Sequence, residues 1–386
     1  MNDNRTIRFS GRAALQNVTQ IPRCKACGWV VISPNGVGVR IVDKTAGFAG
    51  LATCGRVWIC PVCNAKVMAV RALEIAAALA WGESKDFLFI WGSLTVRHQK
   101  GDSLKALLKI QTAAWRAVIE SRAWRESNAT KVIKHAHSKR CDEKCVRKTE
   151  VLDVGYRGRV GYIRAAEITV GENGWHPHFH PIIFWRGTKQ EANRFANEII
   201  QTWVDAVRAN GGDANIDGGQ QLKVINANKG LQELAGYVTK STFAHHKLAL
   251  EAVWSQGKQK RSRANATAPH WSLLTDVASG LVEEVALWHE LERATTGHRM
   301  ITWSRGLRDL AGITSERTDE EISADELGTV HDTVAFISEQ GWSTVRQYPQ
   351  LMGEILTTLE NGGWWALEAL LTRYGVEHYQ AVLQAA

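Results

Sequence analysis

The sequence predicts an α+β fold: a central antiparallel sheet of about five strands with helices covering one face, a cysteine-knuckle region before it and a helical C-terminal part after it. Three observations carry that expectation. Two β-rich runs, Arg159–Val170 and Trp175–Trp185, flank Gly171-Glu-Asn-Gly174. An Asn-Gly pair between such runs marks a hairpin, because a type I′ turn needs positive φ at both central residues. Phe87–Val96 (FLFIWGSLTV) is rich in β-branched and aromatic residues and reads as a mostly buried strand. Leu104–Trp124 and Glu191–Ala209 carry apolar residues at helical spacing, the first broken by no Pro or Gly.

The remaining elements follow in chain order. Residues 1–66 hold five of the seven Cys among turns and short strand-like runs such as Trp29-Val-Val-Ile32. Met68–Trp81 is helical, and residues 125–155 read as a polar, basic insertion. Gly211–Gly219 is a Gly/Asp-rich loop, Leu222–Ile225 a short strand, Gly230–Thr242 a helix, and 244–268 a basic irregular stretch. The divisions expected are 1–66, 67–268, a helical extension over 269–310, and an acidic helical segment over 311–386 that forms a separable small unit.

Charge is distributed unevenly over the 386 residues. Residues 311–386 carry three Arg and no Lys against twelve Asp and Glu, a net −9, while residues 1–310 carry 44 basic against 27 acidic residues, a net +17. Such a basic body attracts polyanions, of which nucleic acid is the commonest in cells. No apolar run approaches the roughly 20 residues that span a bilayer, so no membrane partner is expected. The N-terminus lacks the apolar core of a signal peptide, and the expected location is the cytoplasm.

Close pairing of cysteines without an export signal favours thiolate metal ligands over disulfides. Cys24-Lys-Ala-Cys27 and Cys60-Pro-Val-Cys63 are two CxxC knuckles, the pattern of a structural Cys₄ zinc site. Cys54 is left as a buried free thiol or an alternative ligand. His135, His137, Cys141 and Cys145 in the insertion form either a second zinc site or a polar basic loop.

The second hairpin strand reads Trp175-His-Pro-His-Phe-His-Pro-Ile-Ile-Phe184. Side chains alternate along a strand, so His176, His178 and His180 share one face, and Phe179, Ile183 and Trp185 face a core. With Asn173-Gly174 as the turn, Glu167 stands opposite His180; a one-residue shift at each end keeps it on the same face. His178, His180 and Glu167 then make a two-His, one-carboxylate site with open positions, suited to Mg²⁺ or Mn²⁺ bound to phosphate and open also to Zn²⁺ or Fe²⁺.

Downstream, at about 100° per residue, Glu233, Tyr237 and Lys240 stack on one helix face, with Leu231, Leu234, Ala235 and Val238 opposite. A phenol becomes a usable nucleophile when a nearby cation lowers its pKa, and Lys240 is one turn away. Glu233 is placed as a general base.

The order of these elements resembles the rolling-circle plasmid replication initiators (Rep proteins) of the single-tyrosine class, within the HUH endonuclease superfamily. Phe87–His98, with Ser93-Leu94-Thr95 where relatives have Thr-Leu-Thr, is similar to the first motif. His178-Phe179-His180 is similar to the metal motif, Tyr237-Val-Thr-Lys240 to the nucleophile motif, and Trp303-Ser-Arg-Gly-Leu-Arg308 to a later segment. The likeness covers roughly residues 50–310 and implies that 67–268 is an HUH nicking domain with a five-stranded sheet.

The resemblance further implies that Tyr237 attacks a single-stranded or hairpin origin, leaving a 5′-phosphotyrosine and a 3′-OH that primes a host polymerase. Glu233 would then activate water for the terminating cleavage. No Walker P-loop is present, so a host helicase is the expected partner. Arg97, His98, Lys258, Lys260, Arg261 and Arg263 are the expected DNA contacts. The alternatives are an HUH transposase or relaxase, a non-catalytic zinc-containing DNA-binding regulator, and an unrelated metallohydrolase.

Overall fold

The structure is a computed structural model that describes residues 4–134, 149–153, 155–226, 268–278, 282–313 and 316–381. The chain opens with α1 (Asn4–Val18), α2 (Pro22–Ala26) and a hairpin of β1 (Val37–Val42) and β2 (Thr45–Ala49). Next come α3 (Pro61–Ser84), β3 (Leu88–Thr95), α4 (Leu104–Glu120), α5 (Arg122–Glu126), β4 (Thr130–Lys134) and β5 (Thr149–Asp153). The long hairpin β6 (Gly158–Gly171) and β7 (Gly174–Arg186) precedes α6 (Lys189–Ala209) and β8 (Gln221–Asn226). The C-terminal part holds β9 (Ala268–Pro269), α7 (Ser272–Ala278), α8 (Val282–Ala294), β10 (Ile301–Trp303), α9 (Leu307–Leu310) and α10 (Asp319–Ala324). It ends with β11 (Thr333–Ile337), α11 (Glu339–Gln347), α12 (Pro349–Arg373) and β12 (His378–Gln380).

The fold is α+β, with antiparallel sheets. The main sheet runs β10-β6-β7-β3-β8, with β9 added along β6. The central hairpin forms where the sequence places it, but its turn differs. Gly171 pairs with Gly174, so Glu172 and Asn173 are the turn residues and Glu167 faces His178 rather than His180. A type I′ turn over Asn173-Gly174 would need positive φ at both; only Gly174 has it, at 84°. The two-residue displacement keeps Glu167 on the histidine face.

Helices cover both faces of this sheet, not one. On the Phe179 face lie α4 and α6, whose Trp115 and Trp203 rings each sit 6.1 Å from Phe179. On the histidine face the far end of β7 is apolar, and Ile182 and Phe184 need cover as much as Phe179 does. The C-terminal end of α3 supplies it: Phe184 packs edge-on against Phe89 at 5.1 Å and beside Trp81 at 6.1 Å. Gly82 permits the approach, since a Cβ there would lie 2.9 Å from Phe89. The near end of the same face carries the histidines.

The segment expected as a separable acidic tail contributes two strands to a second sheet, β12-β11-β1-β2. Val37 pairs with Ile337 and Val39 with Ala335, and these residues share a core with Trp342, Leu351, Ile355 and Leu367. Thr333, Ala335 and Ile337 alternate as a half-buried strand that needs a partner, and β1 is that partner. The expected strand over Trp29–Ile32 is reduced to a single bridge between Val31 and Leu51. Among the described residues no helix is long and apolar enough to cross a membrane.

Candidate metal centres

Two groups of ligating side chains converge. The first is Glu167, His178 and His180, with His178 and His180 buried and their candidate ligand atoms within 4.8 Å of one another. The pairing of β6 with β7 sets Glu167 across from His178, and the strand period of two brings His180 to the same side. His178 Nε2 lies 2.8 Å and His180 Nε2 3.1 Å from one oxygen, Glu167 Oε2.

The far side of each ring is also held. His178 Nδ1 is 3.2 Å from the His176 carbonyl oxygen, and His180 Nδ1 is 3.1 Å from that of Gly92. A carbonyl oxygen only accepts, so each Nδ1 donates its proton there, and Nε2 is the ring atom that turns to Glu167 and would ligate an ion. Two ring nitrogens and a carboxylate oxygen thus converge on one point where an ion could replace the protons between them. Two ligands about 2.1 Å from an ion at a right angle are about 3.0 Å apart, which the observed spacings fit. Burial pushes the Glu167 carboxyl up, but the imidazoles of His178 and His180 outweigh it and hold Glu167 well below the usual carboxylate range. The group fits a divalent ion, and its donors do not specify which.

His176 lies outside this group. Its ring stacks on His98 at 4.6 Å, and burial, reinforced by the His178 and His98 charges, pushes it down to about 4. The pair lines a cavity of about 330 Å³ together with Thr95, Arg97, Asn215 and Gly219. Arg97, expected to contact DNA, is half-committed: its Nη1 pairs with Asp213 at 3.1 Å, both side chains more than half exposed.

The second group is Cys27, Cys54, Cys60 and Cys63, all buried, with sulfurs within 4.8 Å of one another. Cys27 Sγ lies 3.8 Å from Cys60 and 3.6 Å from Cys63, and Cys54 Sγ lies 3.6 Å from Cys63. Tetrahedral zinc at about 2.3 Å from each sulfur sets them about 3.8 Å apart, so the cluster fits that ion. The composition differs from the two-knuckle expectation. Cys54 occupies the place given to Cys24, which is buried beside Cys54. Hydrogen bonding among the sulfurs, with burial second, drives Cys54 well above its ordinary range, and the same bonds hold Cys27 below its own, where the Arg12 charge adds. Arg12, a residue sequence reasoning missed, is buried against this corner. Gly28, at φ +63°, leaves it room, since a Cβ there would fall 1.9 Å from Arg12 Nη1.

Other expected site residues lie outside the described residues. These are Glu233, Tyr237 and Lys240; His135, His137, Cys141 and Cys145; and Lys258, Lys260, Arg261 and Arg263.

The site and fold define an α+β protein with two candidate metal centres, and comparisons add its likenesses. The chain is 29% identical over 362 residues to a protein named Protein rep from Streptomyces lividans, covering 80% of this chain and 76% of that one. It is 32% identical over 191 residues to a protein named Neomycin resistance protein from Streptomyces cyanogenus, covering 45% of this chain and 42% of that one. No family model matches, and no solved structure matches.

Proposed function

We propose that this chain is a Rep-type plasmid replication initiator: a metal-dependent, site-specific nickase of the HUH kind that cuts and rejoins one strand of origin DNA through a tyrosine. The observation that carries the reading is the convergence of His178 and His180 Nε2 on Glu167 Oε2, each ring locked from behind by a backbone carbonyl. The likeness to Protein rep supports it.

A bound Mg²⁺ or Mn²⁺ supplies Lewis-acid polarisation of the scissile phosphate. The chain's own residues do the rest. The carbonyls behind each Nδ1 hold both rings with Nε2 turned to the ion's place, so no rotamer search precedes binding. Tyr237 attacks the phosphorus in line, the bond to the 3′ oxygen breaks, and a 5′-phosphotyrosine and a 3′-OH result. Lys240 neutralises charge on the phosphate, and Glu233 serves as base for the water that ends the cycle. The substrate is single-stranded or hairpin origin DNA, with host helicase and polymerase extending the 3′ end. The Cys₄ cluster holds a structural zinc, with no open position for catalysis.

The test is a covalent adduct. Full-length protein with Mn²⁺ and a 5′-labelled or 3′-labelled origin oligonucleotide is run on a denaturing gel. The 3′-labelled strand shifts with the protein, and Tyr237→Phe abolishes the shift. An equal shift from Tyr237→Phe, or none from the parent protein on its own plasmid's origin, overturns the assignment. Glu233→Ala keeps nicking and accumulates multimeric single strands.

A further inference from the structure

A second cavity, of about 490 Å³, shares no lining residue with the Glu167 group. Arg56, Trp58, Arg299, Trp303, Arg308 and Arg317 are among the residues that line it. Its size falls within the range of small-ligand sites, roughly 300–1,000 Å³.

What marks it is a surplus of donors. Arg308 is 8% exposed, and its Nη2 meets Glu74 at 2.7 Å. Its Nε and Nη1, Arg56 Nε and Trp303 Nε1 are buried and have no hydrogen-bond partner among the described residues. Four buried N–H donors without an acceptor among the described residues, on three side chains that line one cavity, are a costly arrangement that a protein rarely leaves unsatisfied.

The carboxylates nearby do not answer them. Asp319 and Glu74 are taken by Arg71, and Glu74 also by Arg308. Glu292 accepts from Thr19, Gln20 and Trp288. Arg317 is paired with Asp325 at 2.6 Å. Glu316 and Glu320 are exposed.

The sequence Trp303-Ser-Arg-Gly-Leu-Arg308, which the metal chemistry leaves unused, is built to present Arg308 here. Ser304 clamps the turn to β6, donating its N–H to the Tyr162 carbonyl and accepting the Tyr162 N–H at its Oγ, both at 2.8 Å. Gly306 takes φ 76° and reverses the chain into α9. The Arg308 guanidinium then lies 4.4 Å over the Trp303 ring, which fixes its plane.

We propose that this cavity binds a phosphate-bearing ligand, either a free nucleotide or a nucleotide unit of a DNA strand. A guanidinium N–H makes a charge-assisted hydrogen bond to a phosphate oxygen, and a phosphate seated among these arginines would bring acceptors to donors that have none. The proposal needs neither Tyr237 nor the divalent ion.

The experiment uses the full-length Tyr237→Phe protein, so nicking cannot interfere and its failure cannot be mistaken for failure here. Fluorescence anisotropy follows a fluorescent ATP analogue in one arm and a labelled single-stranded oligonucleotide in the other, with pyrophosphate as competitor. Arg56→Gln and Arg308→Lys are added in turn. Arg56 makes no ion pair with a described residue, so its variant stays informative if Arg308→Lys folds poorly. Each substitution weakens binding about tenfold, Arg56→Gln at an unchanged melting temperature and Arg308→Lys at a lowered one, since its buried pair with Glu74 is disturbed. Loss in the nucleotide arm, with displacement by pyrophosphate, identifies a free nucleotide. Loss confined to the oligonucleotide arm, with a salt slope smaller by about one, identifies the DNA backbone. Unchanged affinity in both arms for both variants overturns the proposal and leaves the cavity to water.

Discussion

His180 is oriented by Gly92: its Nδ1 lies 3.1 Å from the Gly92 carbonyl oxygen, across the boundary between β7 and β3. That same glycine pairs with Leu222 of β8. A Cβ at position 92 would stand 1.7 Å from the Gln221 carbonyl oxygen. One residue therefore joins strand pairing to the aim of a candidate ligand ring, and the candidate metal centre inherits the register of the sheet.

Gly92→Ala tests that link. The added methyl forces β3 and β8 apart and moves the carbonyl behind His180. Mn²⁺ affinity measured by isothermal titration calorimetry should fall roughly 10–100-fold, the usual effect of losing an outer-shell partner. Affinity within twofold of the parent, with the protein still folded by circular dichroism, would show that Gly92 does not orient the ring.

The cysteine cluster yields a sharper comparison. Cys54 belongs to the convergent group of four and Cys24 does not. Cys54→Ser should lower bound zinc from one per chain towards none, while Cys24→Ser keeps it, as read by a colorimetric chelator after denaturation. The reverse pattern would restore the two-knuckle arrangement that the CxxC spacing suggests.

Much of this was legible in the sequence because it is local. Alternation places Glu167, His178 and His180 on one face whichever of two turns closes the hairpin, and the structure changes only which histidine faces the carboxylate. The type of turn was not legible, since it depends on which residue adopts positive φ. Cys54 sits in no short motif; it reaches the cluster because the chain returns from β2 to α3, a long-range consequence of the second sheet. The pairing of β1 with β11 joins residues about 300 positions apart, and no window of sequence reports it.

That long-range pairing makes the acidic segment and the N-terminal region one unit, and Trp342 is its measure. The ring is fully buried, stacks edge-on against Phe48 at 5.1 Å, and sends its Nε1–H to the Gly28 carbonyl at 3.3 Å, next to Cys27. Trp342→Ala should cost about 3–5 kcal/mol in urea unfolding. It should also speed zinc release to a chelator, because the Gly28 carbonyl beside Cys27 loses the indole that holds it. Zinc release at the parent rate would mean that the tail folds without bracing the cysteine corner.

His270 gives the protein an acid sensitivity whose sign can be worked out. Its ring is buried, with Nδ1 3.1 Å from the Ile168 carbonyl and Nε2 3.0 Å from that of Trp58. Only the imidazolium could donate to both, and these bonds favour the charged form. Burial outweighs them and pushes His270 down to about 4 from 6.5. Between those values the unfolded chain binds a proton that the folded chain refuses, so stability rises with pH across this window. The contribution is complete above pH 6.5 and is lost as pH falls to about 4, a difference of about 3 kcal/mol. Urea melts of the parent and His270→Gln from pH 4.5 to 7.5 separate this group from the others, which titrate in both proteins. The parent should lose stability more steeply with acid than the variant. Parallel pH profiles would show that the buried ring accepts its proton at the unfolded value, and that Ile168 and Trp58 hold an imidazolium after all.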